Sequence, residues 1–210
     1  MSISRRGFIA AVFGLWVGVT LQTPPVQADE FTDGAQKFIS TLSDRAQKSL
    51  LIENITLKER QNRFRVLMLD TFDLNGVAKW VLGRYWRRAS RQEQQQYLNL
   101  FEEFIIATFT KRFKAYTNAN LQISETTSRK SSAFVKTRIN RSSAKPIRII
   151  WRVKFTDGRY QIIDIVVEGV SWIQTQRSEF VSVIRNSGGK VSGLIEALDK
   201  KIAFLGSSAS

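Results

Sequence analysis

At residue 120 the spacing of apolar residues changes, and the two regimes on either side restrict the chain to a narrow set of folds. Before it, Phe31, Ala35, Phe38, Ile39, Leu42 and Ala46 recur at helical spacing, as do Leu98, Phe101, Phe104, Ile105, Phe109 and Phe113 further on. After it, the stretches LQISETT, SAFVKTRIN, PIRIIWRVKF and RYQIIDIVVEGV read as strands with a period of two, imperfect only in the last. Steps of three and four line apolar groups along one side of a helix, whereas alternation puts them on one face of a strand. Helices followed by a run of strands define an α+β domain, here helices packed on a strongly twisted, mostly antiparallel four-stranded sheet.

Local signals set the boundaries of these elements. The first helix covers roughly residues 31 to 48. Thr56-Leu57-Lys58-Glu59 and Ser90-Arg91-Gln92-Glu93 have the form of capping boxes, in which hydroxyl and carboxylate each satisfy a free N–H at a helix start. The helices they open are predicted to reach about Leu69 and Tyr116, and Asp73 is placed to cap a short one that stops at Gly83. Asp157-Gly158 is a two-residue hairpin signal between the last two strands. On the third strand Ile147, Ile149, Trp151, Val153 and Phe155 share one face, and Arg148, Arg152 and Lys154 share the other, as Lys136 and Arg138 do on the strand before. That basic face is either the wet side of the sheet or an anion-binding surface. Ile162, Ile163, Ile165, Val166 and Val167 break the alternation, as expected of a central strand buried on both faces. Two helices close the chain, one from about Ser171 to Asn186 ending at Gly188-Gly189, the other containing Leu194, Ile195 and Leu198.

With 210 residues, 43% of them hydrophobic, the chain has enough apolar mass for one ordinary core. It contains neither Cys nor His. Disulfides, cysteine nucleophiles, His-based triads and the common zinc and haem sites are therefore excluded together. Lys and Arg number 32 against 18 Asp and Glu, a net charge of +14, so an anionic partner or surface is expected. Tyr85 and Trp86 stand among Arg84, Arg87, Arg88 and Arg91, a mixture that also suits single-stranded nucleic acid. The N-terminus argues against that partner. Arg5-Arg6, an apolar run from Phe8 to Leu21 and the small-residue stretch Val26-Gln27-Ala28 make residues 1–28 an export signal, with an arginine pair that also fits the twin-arginine route. Its uninterrupted apolar stretch, Phe8 to Val19, is too short for a membrane span. Residues 29–210 are then expected to form a single domain in a bacterial periplasm, where nucleic acid is not a partner.

FDLNGVAKWVLGRYWRRASRQEQQQYLNLFEEFIIATFTKRFKAY, residues 72–116, resembles the signature of the MlaC family of periplasmic phospholipid-shuttle or toluene-tolerance proteins. DGRYQIIDIVVEGVSWIQTQRSEF, residues 157–180, resembles that family's second signature. Phe72-Asp73, Leu82-Gly83, Trp86, Gln95, Phe101, Phe104, Tyr116, Asp164, Gly169-Val170-Ser171, Arg177 and Phe180 fall where the family has those residue types, and the likeness spans residues 31 to about 200. The resemblance implies a nuclear-transport-factor-like cone, helices against a curved sheet, with a deep apolar pocket for acyl chains, phospholipid as cargo, and no cofactor or catalytic role. It also implies partners: an outer-membrane lipoprotein complex and an inner-membrane ABC transporter with a substrate-capturing ring. A hopanoid-associated relative has a similar layout, so a hopanoid or another lipid is the alternative cargo.

Candidate pocket residues are Val81, Leu82, Phe101, Phe104, Ile105, Trp151, Val153, Ile163, Ile165, Val167 and Val170, each of which equally suits ordinary core. Arg84, Arg87, Arg88 and Arg91 are candidates for a rim facing a partner or membrane, the other reading being a solvated turn whose aliphatic stems cover Trp86. Asp164, in an apolar strand, is the one candidate base for a cone-fold isomerase or dehydratase. Its other reading is a carboxylate paired with a neighbouring arginine or hydrogen-bonded to a loop.

Overall fold

A computed structural model describes residues 26–52, 54–110, 120–141 and 144–207. Helices α1 (Val26–Leu50), α2 (Leu57–Thr71), α3 (Leu74–Leu82) and α4 (Arg91–Thr110) come first, with a 3-10 turn at Gly83–Tyr85 between α3 and α4. Strands β1 (Asn120–Arg129), β2 (Ser132–Arg141), β3 (Ala144–Thr156), β4 (Arg159–Val167) and β5 (Val170–Ser171) follow, and α5 (Trp172–Asn186) and α6 (Val191–Ser207) end the chain. The strands form one antiparallel meander in the order β1-β2-β3-β4-β5.

The expected caps are in place. Thr56 Oγ1 accepts from the Glu59 N–H at 3.1 Å, and Asp73 Oδ1 from the Gly76 N–H at 2.9 Å. Ser90 and Glu93 exchange hydrogen bonds of 2.8 and 3.2 Å. Asp157 and Gly158 both have positive φ, 54° and 74°, the backbone that a two-residue hairpin needs to match strand twist. Helix α1 runs back to Val26, through the expected cleavage stretch. The rest of the expected export signal lies outside the described residues, as do Phe113 and Tyr116.

The sheet has five strands, not four. Glu168 and Gly169 turn the chain with φ of 48° and 86°, and Val170–Ser171 pairs back on Val167 and Val166. A strand of two residues is too short to show alternation. The irregular pattern of β4 also has a local cause. Arg152 opposes Asp164 while Val153 opposes Ile162, so Ile163 is an extra residue and β4 is bulged there, not buried uniformly on both faces. Further register shifts occur at Ile123/Glu125 and Ile139/Arg141. Each bulge bends its strand and increases the twist, giving the sheet a concave face. Where β5 does not reach, Phe72 pairs in parallel with Ile162 and the Asp73 N–H donates to the Ile162 carbonyl at 3.0 Å, covering the β4 edge.

Helix α1 packs on the sheet and is fixed at its N-terminal half. Phe31 and Phe38 stack on Tyr160, with ring centroids 5.9 and 6.0 Å apart. Gly34 faces the same tyrosine so closely that a Cβ would fall 2.0 Å from its hydroxyl, so only glycine permits this approach. Helix α2 lies beside α1 and α4, α4 packs along α6, and α3 packs on α5. The buried Tyr97 hydroxyl of α4 donates to the Ala78 carbonyl of α3 at 3.0 Å, and burial raises the pKa of this phenol, keeping it protonated. Phe180 of α5 is ringed by Tyr97, Phe101 and Phe104 at 6.4, 6.3 and 5.7 Å.

Candidate functional site

The bend of the sheet leaves a cavity of about 330 Å³ between its concave face and the helices. Helices α1 to α4 contribute inward stripes: Ile39, Leu42, Ala46 and Leu50 from α1, Phe64, Leu67 and Met68 from α2, Leu74 and Val77 from α3, and Ile105 and Phe109 from α4. The sheet supplies Leu121, Ile139, Ile147, Ile149, Trp151, Ile163, Ile165 and Val167, and the start of α5 adds Trp172 and Ile173. Ligand pockets span about 300–1,000 Å³. This one is small for the class, and its wall is almost wholly hydrocarbon.

Polar groups deep in the wall are satisfied within the protein. The Trp151 indole donates to Thr137 Oγ1 at 2.9 Å, and the Thr137 hydroxyl donates to the Ile149 carbonyl at 3.3 Å. The Thr71 hydroxyl returns to the Leu67 carbonyl at 2.6 Å. Asp164, only 6% exposed, accepts from Ser171 Oγ at 2.7 Å and from the Ile173 N–H at 3.3 Å. Ser171 also caps α5 through the Gln174 N–H. The carboxylate therefore ties β4 to the start of α5, where a helix N-terminus favours negative charge. Its partners come from that turn, not from a strand arginine. Among the described residues no cluster of His, Cys, Asp or Glu has the arrangement of a metal site.

Gln47 and Val167 are the exposed members of the lining. They place the mouth where the end of α1, the start of β3 and the end of β4 meet. Of the residues expected at the pocket, Ile105, Trp151, Ile163, Ile165 and Val167 come together on the wall. The other six lie elsewhere. Val81 and Leu82 are fully buried beyond Val77, where α3 packs on α5. Phe101 and Phe104 turn toward Phe180, and Val153 is fully buried opposite Ile162, past the bulge. Val170 is 62% exposed on β5. The contributions of α1, α2, α3 and α5 were absent from the expectation. The apolar stripe of α1 and the inward Phe180 and Ile184 of α5 each signalled a buried face, and a stripe does not distinguish a hollow from a solid.

Arg84, Arg87, Arg88 and Arg91 are exposed around the 3-10 turn and the start of α4. At about 1.5 Å per residue, Arg91 lies roughly 20 Å along α4 from Ile105. These arginines lie toward the opposite end of α4 from its cavity-lining residues Ile105 and Phe109. The Arg84 guanidinium lies 5.0 Å from the Tyr85 ring centroid and donates to its hydroxyl at 3.1 Å. That contact, joined by Arg185 and opposed by burial, holds the Tyr85 phenol below its ordinary range. Trp86 is half-buried beneath Lys79. Arg177 donates to the Trp80 carbonyl and lies 4.9 Å over its ring. Gly83, at φ 55°, leaves room for that guanidinium, which a Cβ would meet at 2.6 Å. The basic sheet face is largely paired: Lys136 with Glu125 at 2.8 Å, Arg148 with Glu168 at 3.0 Å, and Lys154 with Asp73 at 2.6 Å. No helix among the described residues is long and apolar enough to cross a membrane.

The intermembrane phospholipid transport system binding protein MlaC of Haemophilus influenzae is 21% identical over 155 residues, covering 70% of this chain and 72% of that protein. The phospholipid-binding protein of Ralstonia solanacearum, solved in complex with a phospholipid, shares the fold with a TM-score of 0.75 at 22% identity, over 82% of this chain and 98% of that one. The profile of the family described as MlaC protein matches residues 35–200, most of the sequence and every element from α2 to α5. The chain belongs to the MlaC family.

Proposed function

We propose that this protein is a periplasmic phospholipid carrier serving an ABC transport system, moving lipid between an outer-membrane lipoprotein complex and an inner-membrane transporter with its substrate-capturing ring. In this reading residues 1–28 are a cleaved export signal and residues 29–210 are the lipid-binding domain. The observation that carries it is the cavity: an open-mouthed space of about 330 Å³ walled by apolar side chains from the sheet and five helices. A carrier must stand in for the bilayer. At about 0.8 kcal/mol per methylene, two chains of roughly 15 methylenes need on the order of 20 kcal/mol of apolar contact. A shallow groove does not provide that, whereas a cavity walled by hydrocarbon from both the sheet and the helices offers acyl chains apolar contact on most sides. Family membership and the names of the two relatives support phospholipid as the cargo. Arg84, Arg87, Arg88 and Arg91 are the surface offered to an anionic membrane or partner.

Mass spectrometry of the protein purified under native conditions is expected to reveal bound diacyl phospholipid. A consistently empty protein counts against the carrier reading, and a bound hopanoid changes the cargo. Ile165, half-buried on the wall, is the second probe. Ile165→Glu sets a charge against the chains, and the folded variant should lose most of its lipid.

A further inference from the structure

The polar side chains along the cavity wall fall into two groups. Thr71, Trp151 and Asp164 are bonded within the protein. Ser43 and Gln47 both line the cavity one turn apart on α1, and neither has a hydrogen-bond partner among the described residues. A helical serine commonly returns its hydroxyl to the carbonyl four residues back, as Ser49 does to Arg45 at 2.6 Å. Ser43 does not. It is half-buried and Gln47 is exposed, so the pair crosses from the hydrocarbon wall to the water at the mouth. The indole of Trp172 belongs to the α5 wall, where its ring packs on Phe101 and Phe109.

We propose that Ser43 and Gln47 form a hydrogen-bonding subsite for the ester carbonyls of a diacylglycerol-based lipid, selecting ester-linked cargo over equally apolar molecules. This inference rests on the phospholipid reading above. An ester carbonyl marks the point where an acyl chain meets glycerol, which is where a lipid with its tails in the cavity passes from apolar wall to water. It accepts hydrogen bonds and donates none, while the serine hydroxyl and the glutamine amide both donate. A dialkyl ether lipid lacks the carbonyl and returns only the weaker ether oxygens, and a fused-ring hydrocarbon takes water from both donors and returns no acceptor at all. Sites built around a hydrogen bond discriminate most strongly against cargo that lacks the partner atom.

The test offers lipid-stripped protein an equimolar mixture of phosphatidylglycerol in diester and diether forms with matched chains, and reads the bound ratio by native mass spectrometry. The unaltered protein is expected to favour the diester by about tenfold, the yield of one to two net hydrogen bonds. The double variant Ser43→Ala, Gln47→Leu should load both forms at a ratio near one, with unchanged thermal stability. Either single substitution should give an intermediate ratio, which keeps the test decisive if the double variant fails to fold. Equal loading by the unaltered protein, or a preference that survives both substitutions, overturns the subsite while leaving the carrier intact. Loading of neither form overturns the phospholipid reading and the subsite together.

Discussion

Asp73 serves two elements at once, accepting from the Gly76 N–H at the start of α3 and from Lys154 Nζ of β3 at 2.6 Å. Burial opposes its charge, but the Lys154 and Gly76 hydrogen bonds outweigh that and hold the carboxyl below its ordinary range. A folded value below the unfolded one means that the stabilisation is complete above about pH 4 and is lost as pH falls through the folded value. Asp73→Asn keeps a competent cap and removes the ion pair. It should cost about 1.5–3 kcal/mol at neutral pH, measured by urea denaturation. The gap from the unaltered protein should close as pH drops below the ordinary carboxylate range, because the native carboxylate then takes up its proton. A gap that stays constant with pH assigns the loss to packing.

Between α1 and α2 the joint is Arg60, which is 6% exposed and donates to the Leu50 and Ile52 carbonyls just where α1 ends. Carbonyls in the last turn of a helix have no partner inside it, so a buried guanidinium supplies what the α1 backbone lacks. Arg60→Met should cost about 2–3 kcal/mol in thermal or urea unfolding. It should also lower lipid content in the protein that remains folded, since Leu50, Phe64 and Leu67 share this wall; Arg60→Lys should recover part of both. Elements of this kind were legible wherever a cap or a period announced them, as at Thr56, Asp73, Ser90 and Asp157-Gly158. The bulge at Ile163 was not, because an extra isoleucine among isoleucines leaves no compositional mark. Nor was the division of α4. Phe104 and Ile105 are adjacent and both buried, yet one clasps Phe180 and the other faces the cavity. A turn of about 100° per residue separates them, and which side is hollow depends on α5, far later in the chain. The residue types demanded by a lipid-filled wall and by a solid core are the same.

Across the whole molecule the arginine cluster lies toward the other end of α4 from the cavity wall, while the basic face of the sheet spends several of its groups on Glu125, Glu168 and Asp73. Among the described residues none of Arg84, Arg87, Arg88 and Arg91 forms an ion pair. Their four positive charges, part of the chain's net +14, are therefore not neutralised by an ion pair at that end. On the carrier reading, charge so placed is expected to speed encounter with an anionic surface without holding the lipid, whose wall contacts lie roughly 20 Å away along α4. Replacing Arg84, Arg87 and Arg88 together by Glu should leave the bound-lipid content unchanged and slow lipid delivery to phosphatidylglycerol vesicles by about tenfold at low salt. Delivery to vesicles of neutral lipid should change little. Raising the salt should erase the difference, because exposed charges are screened beyond about 8 Å at physiological ionic strength. Delivery to anionic vesicles that is unaffected at low salt would remove the arginines from any role in docking, and a fall in lipid content would tie them instead to the fold of α3 and α4.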